Sequence, residues 1–303
     1  MMLTPVFYYP DTPDLPLPDG HRFPAGKYRM LRERVVAEGI LGDASLVRSP
    51  LASRAELIAA HDPDYVDAVF DGSLEAKIQR RIGLPWSETL VRRSRLAVGG
   101  TIAAARSALR DSVSGQLAGG THHGHRDFGA GFCTFNDLAV AAVNLLNEGT
   151  VRRISVIDLD VHQGDGNAAI LAPDPRVFVI SVHGEKNYPF RKIPSDLDIA
   201  LPDGTTDPAY LAAVDQAIAA ALQFEPDLLF YLSGADALAS DSLGRLAVSF
   251  TGLRERDIAV FTKAKSYAVP TCLVLGGGYA KPIGDTVEVY AMTLRCLRQV
   301  YAF

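Results

Sequence analysis

The chain has 303 residues, of which 48% are hydrophobic and 21% charged, and its formal net charge is −5 at pH 7. This acidic balance argues against sequence-independent binding of nucleic acid, which needs a surplus of Lys and Arg. No apolar run approaches the roughly 20 residues that span a bilayer, and the amino terminus lacks the basic and apolar regions of a signal peptide. Because three scattered cysteines favour a reducing compartment, we expect a cytoplasmic protein that binds neither nucleic acid nor membrane.

The amino-terminal part of the chain is predicted to be loop and then helix. Residues 10–24 are rich in Pro and other turn formers, which predicts a loop. Tyr28, Leu31, Val35 and Val36 then recur at i, i+3 and i+4 spacing, a pattern typical of a helix with one apolar face.

Two more helix signals follow before the middle of the chain. Ser53 with Glu56 three residues later forms a capping box, which predicts that a helix begins there. A long helix is predicted over residues 86–109, in which Gly99 and Gly100 mark a point of close packing.

From there on, predicted strands and helices alternate. The segments are 116–119, 135–147, 153–161, 164–171, 177–182, 208–223, 227–233, 252–267, 271–275 and 285–300. Such alternation predicts βαβ units, and therefore an α/β fold with a parallel sheet that is flanked by helices on both faces. Because no internal repeat or Gly/Ser linker interrupts the pattern, we expect residues 1–303 to form a single domain.

The segment 153–161 is predicted to be a buried strand that ends in chemically active residues. Since successive side chains of a strand alternate between its faces, Asp158, Asp160 and His162 are expected to project to the same side. Two carboxylates and an imidazole on one buried face are costly unless they hold a cation. This segment therefore predicts a metal site.

Three other apolar segments also end in polar or backbone-permissive residues. A His122-His123 pair follows one of them, Asp236 ends the run that starts at residue 227, and three glycines and Tyr279 follow residues 271–275. In open parallel sheets, ligands bind beyond the carboxyl ends of the strands. We expect all of these residues to meet there.

The polar segments resemble the signature blocks of the histone deacetylase superfamily. These are GGTHHGHRDFGAGFCTFND (119–137), VIDLDVHQGDGNA (156–168), SGADALASDSLGRL (233–246) and LGGGY (275–279), in the order and at the spacings of that family. Gln163 stands where class I enzymes have a second His, and together with the run SDSLGRLAVSFTGLRERD it resembles the class IV branch and its bacterial relatives. The resemblance implies an arginase/deacetylase-like fold and a zinc-dependent deacetylase or deacylase.

By this resemblance, Asp160, His162 and Asp236 are the metal ligands. Three protein ligands leave an open position for water and substrate, as in catalytic zinc sites. Because two carboxylates and one imidazole form a rather hard site, Fe²⁺ is possible besides Zn²⁺. The resemblance also implies a structural K⁺ near Asp158, Asp160, His162, Ser181 and Val182.

The remaining catalytic roles are likewise implied by the resemblance. His122 pairs with Asp158 and His123 with Asp165, so that each carboxylate orients an imidazole. We expect His123 to be the general base and then the general acid, although the reverse assignment of the two histidines stays open. Tyr279 is expected to donate its hydroxyl to the oxyanion.

The substrate is expected to enter through a tunnel. Gly131 and Phe132 resemble the residues that line the acyl-lysine tunnel of the family, and Tyr188 is a candidate for the opposite wall. Lys27 falls near the position of an Arg that lines an internal channel in class I members. The substrate is then an acylated lysine in a protein or peptide, including long fatty-acyl groups, or an acylated small amine such as an acetylpolyamine.

Two other functions remain as alternatives. A binuclear, arginase-like ureohydrolase would need further His and Asp ligands for a second metal ion. A non-catalytic acyl-lysine binder would be expected to have lost at least one of the residues assigned to catalysis, but all of them are present.

Overall fold

Strands and helices alternate along most of the computed structural model, which describes residues 4–303. The strands are β1 (Val6–Tyr9), β2 (Ser45–Arg48), β3 (Val113–Gln116), β4 (Ile154–Asp158), β5 (Val177–Gly184), β6 (Leu197–Leu201), β7 (Leu228–Ser233) and β8 (Thr271–Leu275). The helices are α1 (Lys27–Ala37), α2 (Arg54–Leu57), α3 (Pro63–Asp71), α4 (Ala76–Ile82), α5 (Glu88–Asp111), α6 (Asp137–Asn147), α7 (Asp165–Leu171), α8 (Asp207–Gln223), α9 (Phe250–Ser266) and α10 (Ile283–Tyr301). None of these helices is both long and apolar enough to cross a membrane.

All eight strands form one open sheet in the order β2-β1-β3-β8-β7-β4-β5-β6. Every pair of neighbouring strands is parallel. Parallel neighbours need a crossover between them, and helices supply most of these connections. The predicted α/β fold with a parallel sheet is therefore confirmed, whereas the extent of a single domain over residues 1–303 stays a prediction.

The sheet separates two hydrophobic cores, one on each face. In β7, Leu229 and Tyr231 pack into the core that is covered by α1, α8, α9 and α10. Leu228, Phe230 and Leu232 pack into the other core, which is covered by α3, α5, α6 and α7. Because alternate side chains are apolar on both faces, the strand reads as a continuous hydrophobic run, as expected for a buried parallel sheet.

Three strands, β1, β2 and β6, were not predicted from the sequence. β2 and β6 are the two edge strands, and most of their residues are exposed or half-buried, so neither contains a continuous apolar run. β1 is only four residues long and directly precedes the Pro-rich loop. The strand predicted at 116–119 is also misplaced, because β3 begins at Val113. Ser114 and Gly115 do not carry apolar side chains, so the start of the strand lacks the apolar run on which the prediction relied.

The helices agree more closely with the predictions. α5 begins and ends two residues later than the predicted helix, and Ser53 caps α2 through a capping box with Glu56. In α1, Leu31 and Val35 are buried as expected, but Val36 is 67% exposed.

The strand β4 ends at Asp158, three residues earlier than predicted. Side-chain carboxylates accept from two of the backbone N–H groups that follow: the Asp160 N–H donates to Asp158 Oδ1 (3.1 Å) and the Val161 N–H to Asp236 Oδ1 (2.9 Å). Leu159 and Val161 nevertheless pack into the same core as other residues of the sheet. The predicted alternation therefore continues past the strand and leaves the polar side chains on the opposite side.

Candidate active site

Several of the polar residues singled out from the sequence line one cavity at the carboxyl ends of the central strands, namely His122, His123, Asp160, His162 and Tyr279. The cavity has a volume of about 520 Å³. The loops after β3, β4, β5, β7 and β8 contribute to its walls, because all parallel strands end at the same edge of the sheet.

Asp160, His162 and Asp236 form a group that could hold a metal ion. Their candidate ligand atoms all lie within 4.8 Å of one another, and all three residues are buried. His162 Nδ1 lies 2.9 Å from Asp160 Oδ1 and 3.2 Å from Asp236 Oδ2, which makes this nitrogen the atom that faces both carboxylates. Two carboxylates and an imidazole match the oxygen and nitrogen donors of Zn²⁺ and Fe²⁺ sites.

The charges of this group also fit a cation. Burial and the neighbouring Asp160 carboxylate raise the pKa of Asp236 to about 7. Burial disfavours a charged His162, but hydrogen bonds to Asp160 and Asp236 outweigh it and raise the pKa of His162 to about 10. A proton on His162 thus compensates two buried carboxylates, and a metal ion would compensate them more fully.

The loop after β8 approaches the metal group so closely that only glycine fits. The Gly277 N–H donates to Asp160 Oδ2. A Cβ atom on Gly277 would overlap the Asp236 carboxylate, and one on Gly276 would lie 2.7 Å from Asp160 Oδ2. The glycines that precede Tyr279 therefore let the backbone contact the two carboxylates directly.

The two histidines that follow β3 each have a carboxylate partner, as the resemblance implies. His122 Nδ1 lies 2.7 Å from Asp158 Oδ2, and His123 Nδ1 lies 2.6 Å from Asp165 Oδ1. The rings of the two histidines are 4.1 Å apart between centroids, and both residues are buried. His125 also binds Asp165, with 3.0 Å between His125 Nε2 and Asp165 Oδ2.

The surroundings shift the pKa values of the two histidines in opposite directions. Burial disfavours a charged His122, but the Asp158 and Asp160 carboxylates outweigh it and raise the pKa of His122 to about 9. For His123, burial and the charge of the neighbouring His122 lower the pKa to about 4, despite the hydrogen bond to Asp165. At neutral pH, His123 is therefore the neutral member of the pair.

Tyr279 lines the same cavity and is held by residues that the sequence reasoning did not assign. Its backbone N–H donates to Asp241 Oδ2 (2.6 Å), and Asp241 also accepts from two backbone N–H groups of its own loop. Burial raises the pKa of the Tyr279 hydroxyl well above 10, which keeps it a hydrogen-bond donor at neutral pH. Asp241 lies inside the block SGADALASDSLGRL, so its position in that motif was the available signal.

Lys27 is fully buried beneath Tyr279. Its Nζ donates to the Gly278 carbonyl oxygen (3.2 Å) and to the Tyr290 hydroxyl (3.0 Å), and it lies 5.0 Å from the centre of the Tyr279 ring. Burial lowers the pKa of Lys27 to about 8. Lys27 lines the cavity. Its position near an internal channel stays a prediction.

The three expected tunnel residues Gly131, Phe132 and Tyr188 all line the cavity. Phe132 has a positive φ of 67°, an uncommon conformation for an aromatic residue, and its ring centre lies 5.9 Å from that of Tyr279. Tyr188 contacts His123 edge-on, with 4.9 Å between ring centres. A Cβ atom on Gly131 would lie 2.6 Å from His123 Cδ2, so this position also requires glycine.

Gln163 ties the loop of Tyr188 to the metal-binding segment. Its side-chain amide donates to the Ile193 carbonyl oxygen (2.8 Å) and accepts from the Ile193 N–H (3.0 Å), and its backbone N–H donates to the Tyr188 carbonyl oxygen (3.2 Å). The sequence analysis noted Gln163 only as the residue that stands where class I enzymes have a second His. The structure assigns it a contact with the wall of the cavity.

The residues expected around a K⁺ ion are also neighbours. Asp158 at the end of β4 pairs with Ser181 in β5, and Val182 follows Ser181. Ser181 Oγ lies 3.0 Å from His183 Nδ1, and both side chains are buried.

Comparison with known proteins places the chain in a family. Residues 21–294 match the histone deacetylase domain. An uncharacterized protein of Picosynechococcus sp. is 44% identical over 298 residues, which cover 98% of this chain and 99% of that protein. Histone deacetylase 2 of Arabidopsis thaliana is 30% identical over 283 residues, covering 88% of this chain and 73% of that protein. Acetoin utilization protein AcuC of Bacillus subtilis is 31% identical over 259 residues, covering 78% of this chain and 67% of that protein. Since the domain match spans most of the sequence and these relatives align over two thirds or more of their length, the chain belongs to the histone deacetylase domain family.

Proposed function

We propose that this protein is a metal-dependent deacylase that hydrolyses the amide of an acylated lysine side chain or of a similar acylated amine. The observation that carries the proposal is the group of Asp160, His162 and Asp236 together with two carboxylate-paired histidines that line the same cavity as Asp160 and His162. Membership of the deacetylase family supports hydrolysis in general. The type of substrate and the roles of individual residues are proposals.

Asp160, His162 and Asp236 would hold the metal, for which we propose Zn²⁺ with Fe²⁺ as the alternative. When bound, the ion would polarise the amide carbonyl and lower the pKa of a water molecule. A K⁺ ion near Asp158 and Ser181 remains part of the proposal as a structural cofactor.

The opposite pKa shifts of the two histidines favour one division of labour. His123, whose pKa is about 4, is neutral at pH 7 and would accept a proton from the attacking water, then return it to the departing amine. His122, whose pKa is about 9, would stay protonated beside Asp158 and stabilise negative charge. Tyr279 would donate its hydroxyl to the oxyanion that forms on the substrate carbonyl.

The cavity suits an acyl chain and the methylene chain of a lysine. Phe132 and Tyr188 would form aromatic walls against these methylene groups, and Gly131 would let them pass close to the backbone. The protein would act in the cytoplasm and would bind neither nucleic acid nor a membrane.

A binuclear ureohydrolase receives less support. Among the described residues 4–303, Asp160, His162 and Asp236 form the one group of His, Cys, Asp and Glu side chains that was found suited to a metal ion. A second metal ion would need further ligands beside them.

The test is turnover of fluorogenic lysines that carry acetyl, octanoyl or myristoyl groups by the purified, zinc-loaded protein, with acetylated polyamines alongside. Each reaction is repeated with a hydroxamate chelator and with the His162→Ala variant as a control that lacks a metal ligand. We expect turnover that both the chelator and the variant abolish. No turnover of any substrate by metal-loaded protein would refute deacylation and favour a non-catalytic acyl-lysine binder.

A further inference from the structure

The charged side chains that line the cavity have one sign, apart from the metal group and its histidines. Among the described lining residues, those other than His and Asp160 that carry charge are Arg22, Lys27, Arg93, Lys186 and Arg245. The chain as a whole has a net charge of −5. Positive side chains are therefore concentrated at the cavity although the protein as a whole is acidic. This distribution indicates that the charge serves the cavity itself and is not a general property of the surface.

The positive charge extends to the solvent end of the cavity. The exposed lining residues are Arg22, Lys186, Phe190, Ser242 and Arg245, and we call them the mouth. Phe190 is 87% exposed, so the mouth also presents an apolar ring to solvent. None of the five carries a carboxylate. A substrate that reaches the metal group would have to leave its outer part among these side chains.

A carboxylate outside the lining neutralises only part of this charge. Asp203 Oδ2 lies 3.1 Å from Arg245 Nη1 and 4.0 Å from Lys186 Nζ, so one carboxylate serves two cations. The side chains of Lys186 and Arg245 remain 65% and 53% exposed. A surplus of positive charge therefore remains at this side of the mouth, and Arg22 adds to it.

Two loops of the mouth are fastened to each other. Buried Asn187 donates to the Leu243 carbonyl oxygen (2.8 Å) and accepts from the Arg245 N–H (3.2 Å). The backbones of Lys186 and Arg245 are therefore held side by side before any substrate binds. Such pre-organisation lowers the entropy cost of recognising a charged group.

We infer that the preferred substrate carries negative charge at the end that remains at the mouth. This inference rests on the proposed function and names its substrate class: an acylated amine with a carboxylate near the position of the lysine α-carbon. Such a group occurs in an acyl-lysine flanked by Asp or Glu, and in a small acylated amino acid. An acetylated polyamine carries ammonium groups at that end and would be repelled, because like charges at a binding site oppose encounter.

The experiment compares matched substrates of different charge. One arm uses acetyl-lysine peptides in which the flanking residues are Glu, Gln or Lys. The other arm uses Nα,Nε-diacetyl-lysine with a free carboxylate, its neutral methylamide and N-acetylspermidine. We expect kcat/KM to fall in the order negative, neutral, positive, by about two- to fivefold for each charge step, since exposed charge pairs interact weakly through water. A preference in one arm alone identifies the peptide or the small acid as the source of the charge.

Variants of the mouth connect this preference to its residues. Lys186→Gln and Arg245→Gln should each reduce the ratio of kcat/KM for negative substrates to kcat/KM for neutral substrates about two- to fivefold. Arg152→Gln is the control, because the Arg152 side chain is 86% exposed and lies two residues before β4, at the opposite end of the sheet. The preference should also shrink at high salt, where the Debye length falls to about 3 Å at 1 M.

Equal kcat/KM for negative and positive substrates in both arms, or a preference for the positive substrate in either arm, would overturn the inference. So would a preference that survives in the Lys186→Gln/Arg245→Gln double variant. Absence of turnover on every substrate, with metal bound, would instead refute the proposed function, and the inference would fall with it.

Discussion

At the scale of single residues, the site consists of buried titratable groups whose charges depend on one another. Asp158 and Asp165 each accept from a histidine ring, and the Asp160 carboxylate lies close enough to His122 and Asp236 to alter the pKa of both. In a buried environment such interactions are strong because water screens them little. Substitution of one member is therefore expected to affect protonation at its neighbours.

His123→Ala is expected to reduce kcat by about 10²–10⁴-fold, the usual contribution of a general acid–base group. Tyr279→Phe is expected to reduce kcat by about 10²–10³-fold, because an oxyanion donor is lost. Neither the His123 nor the Tyr279 side chain belongs to the metal group. The zinc content of both variants, measured by elemental analysis, should therefore equal that of the wild type. Wild-type turnover in either variant would remove that residue from the mechanism.

His61 makes a prediction for stability that is independent of the metal. It is fully buried; His61 Nδ1 lies 2.8 Å from the His125 carbonyl oxygen, and Nε2 accepts from the Asn136 N–H (2.9 Å). These contacts specify a neutral ring with its proton on Nδ1, and burial lowers the pKa of His61 to about 4. The unfolded chain, with a histidine pKa of about 6.5, therefore binds the second proton, which charges the ring, more readily than the folded chain.

The contribution of a neutral His61 to stability is complete above about pH 6.5 and is lost as the pH falls toward 4, at up to about 1.4 kcal/mol per pH unit. The measurement is the free energy of unfolding in urea at pH 7, 6 and 5, for the wild type and for His61→Gln. A glutamine amide can keep a donor and an acceptor but does not titrate, so the variant should lose this part of the slope. Identical slopes would contradict the assignment.

At the scale of elements, the longest helix packs its backbone directly against the neighbouring loop. A Cβ atom on Gly99 in α5 would overlap the Pro50 carbonyl oxygen and lie 2.7 Å from the Ala52 nitrogen. Helix propensity alone would favour Ala over Gly by about 1 kcal/mol. Packing nevertheless favours Gly at this position, because the atoms that a Cβ would overlap belong to the backbone and cannot move aside.

Gly99→Ala is therefore expected to lower the free energy of unfolding by about 1–3 kcal/mol. Gly284→Ala in α10 is the matched control, since a Cβ atom there meets nothing within 4 Å. That variant should be neutral or more stable by less than about 1 kcal/mol. Both values come from denaturant unfolding of the same preparation, and a loss of stability in both variants would show that packing at Gly99 is not the cause.

At the scale of the whole molecule, the proposed metal links distant parts of the chain. Asp160 and His162 follow β4, Asp236 follows β7, and the loop after β8 donates to Asp160. The ligand set exists only in the folded state, so a metal that binds it must stabilise folding.

Zinc is expected to raise the free energy of unfolding by about 2.7 kcal/mol when its free concentration is 100 times its Kd. Thermal unfolding across a series of buffered zinc concentrations measures this effect without reference to activity. In Asp236→Asn the increase should be much smaller, because one carboxylate ligand is lost. An equal increase in the variant would place the stabilising metal elsewhere.

How much of the fold was accessible from the sequence depended on burial. The central strands β4, β7 and β8 are buried on both faces, so their apolar runs stood out, and β7 and β8 were located to within one residue. The edge strands β2 and β6 were not predicted, because their partly exposed residues produce no such apolar run. The end of β4 was misplaced because the Asp160 and Val161 N–H groups that follow it donate to the carboxylates of Asp158 and Asp236 instead of to strand carbonyl groups.

The sequence by itself determined the parallel α/β architecture, because this depends on apolar patterning along the chain. The residues of the candidate metal group and the histidine–carboxylate pairs were implied by the resemblance of several motifs to a known family. Only the tertiary structure decided which supports hold them, such as Asp241 at Tyr279 and Gln163 at the loop of Tyr188. It also brought Arg22, Lys186 and Arg245 to one opening. These residues are remote in sequence or unremarkable in type, and their proximity depends on how the loops between parallel strands close over one edge of the sheet.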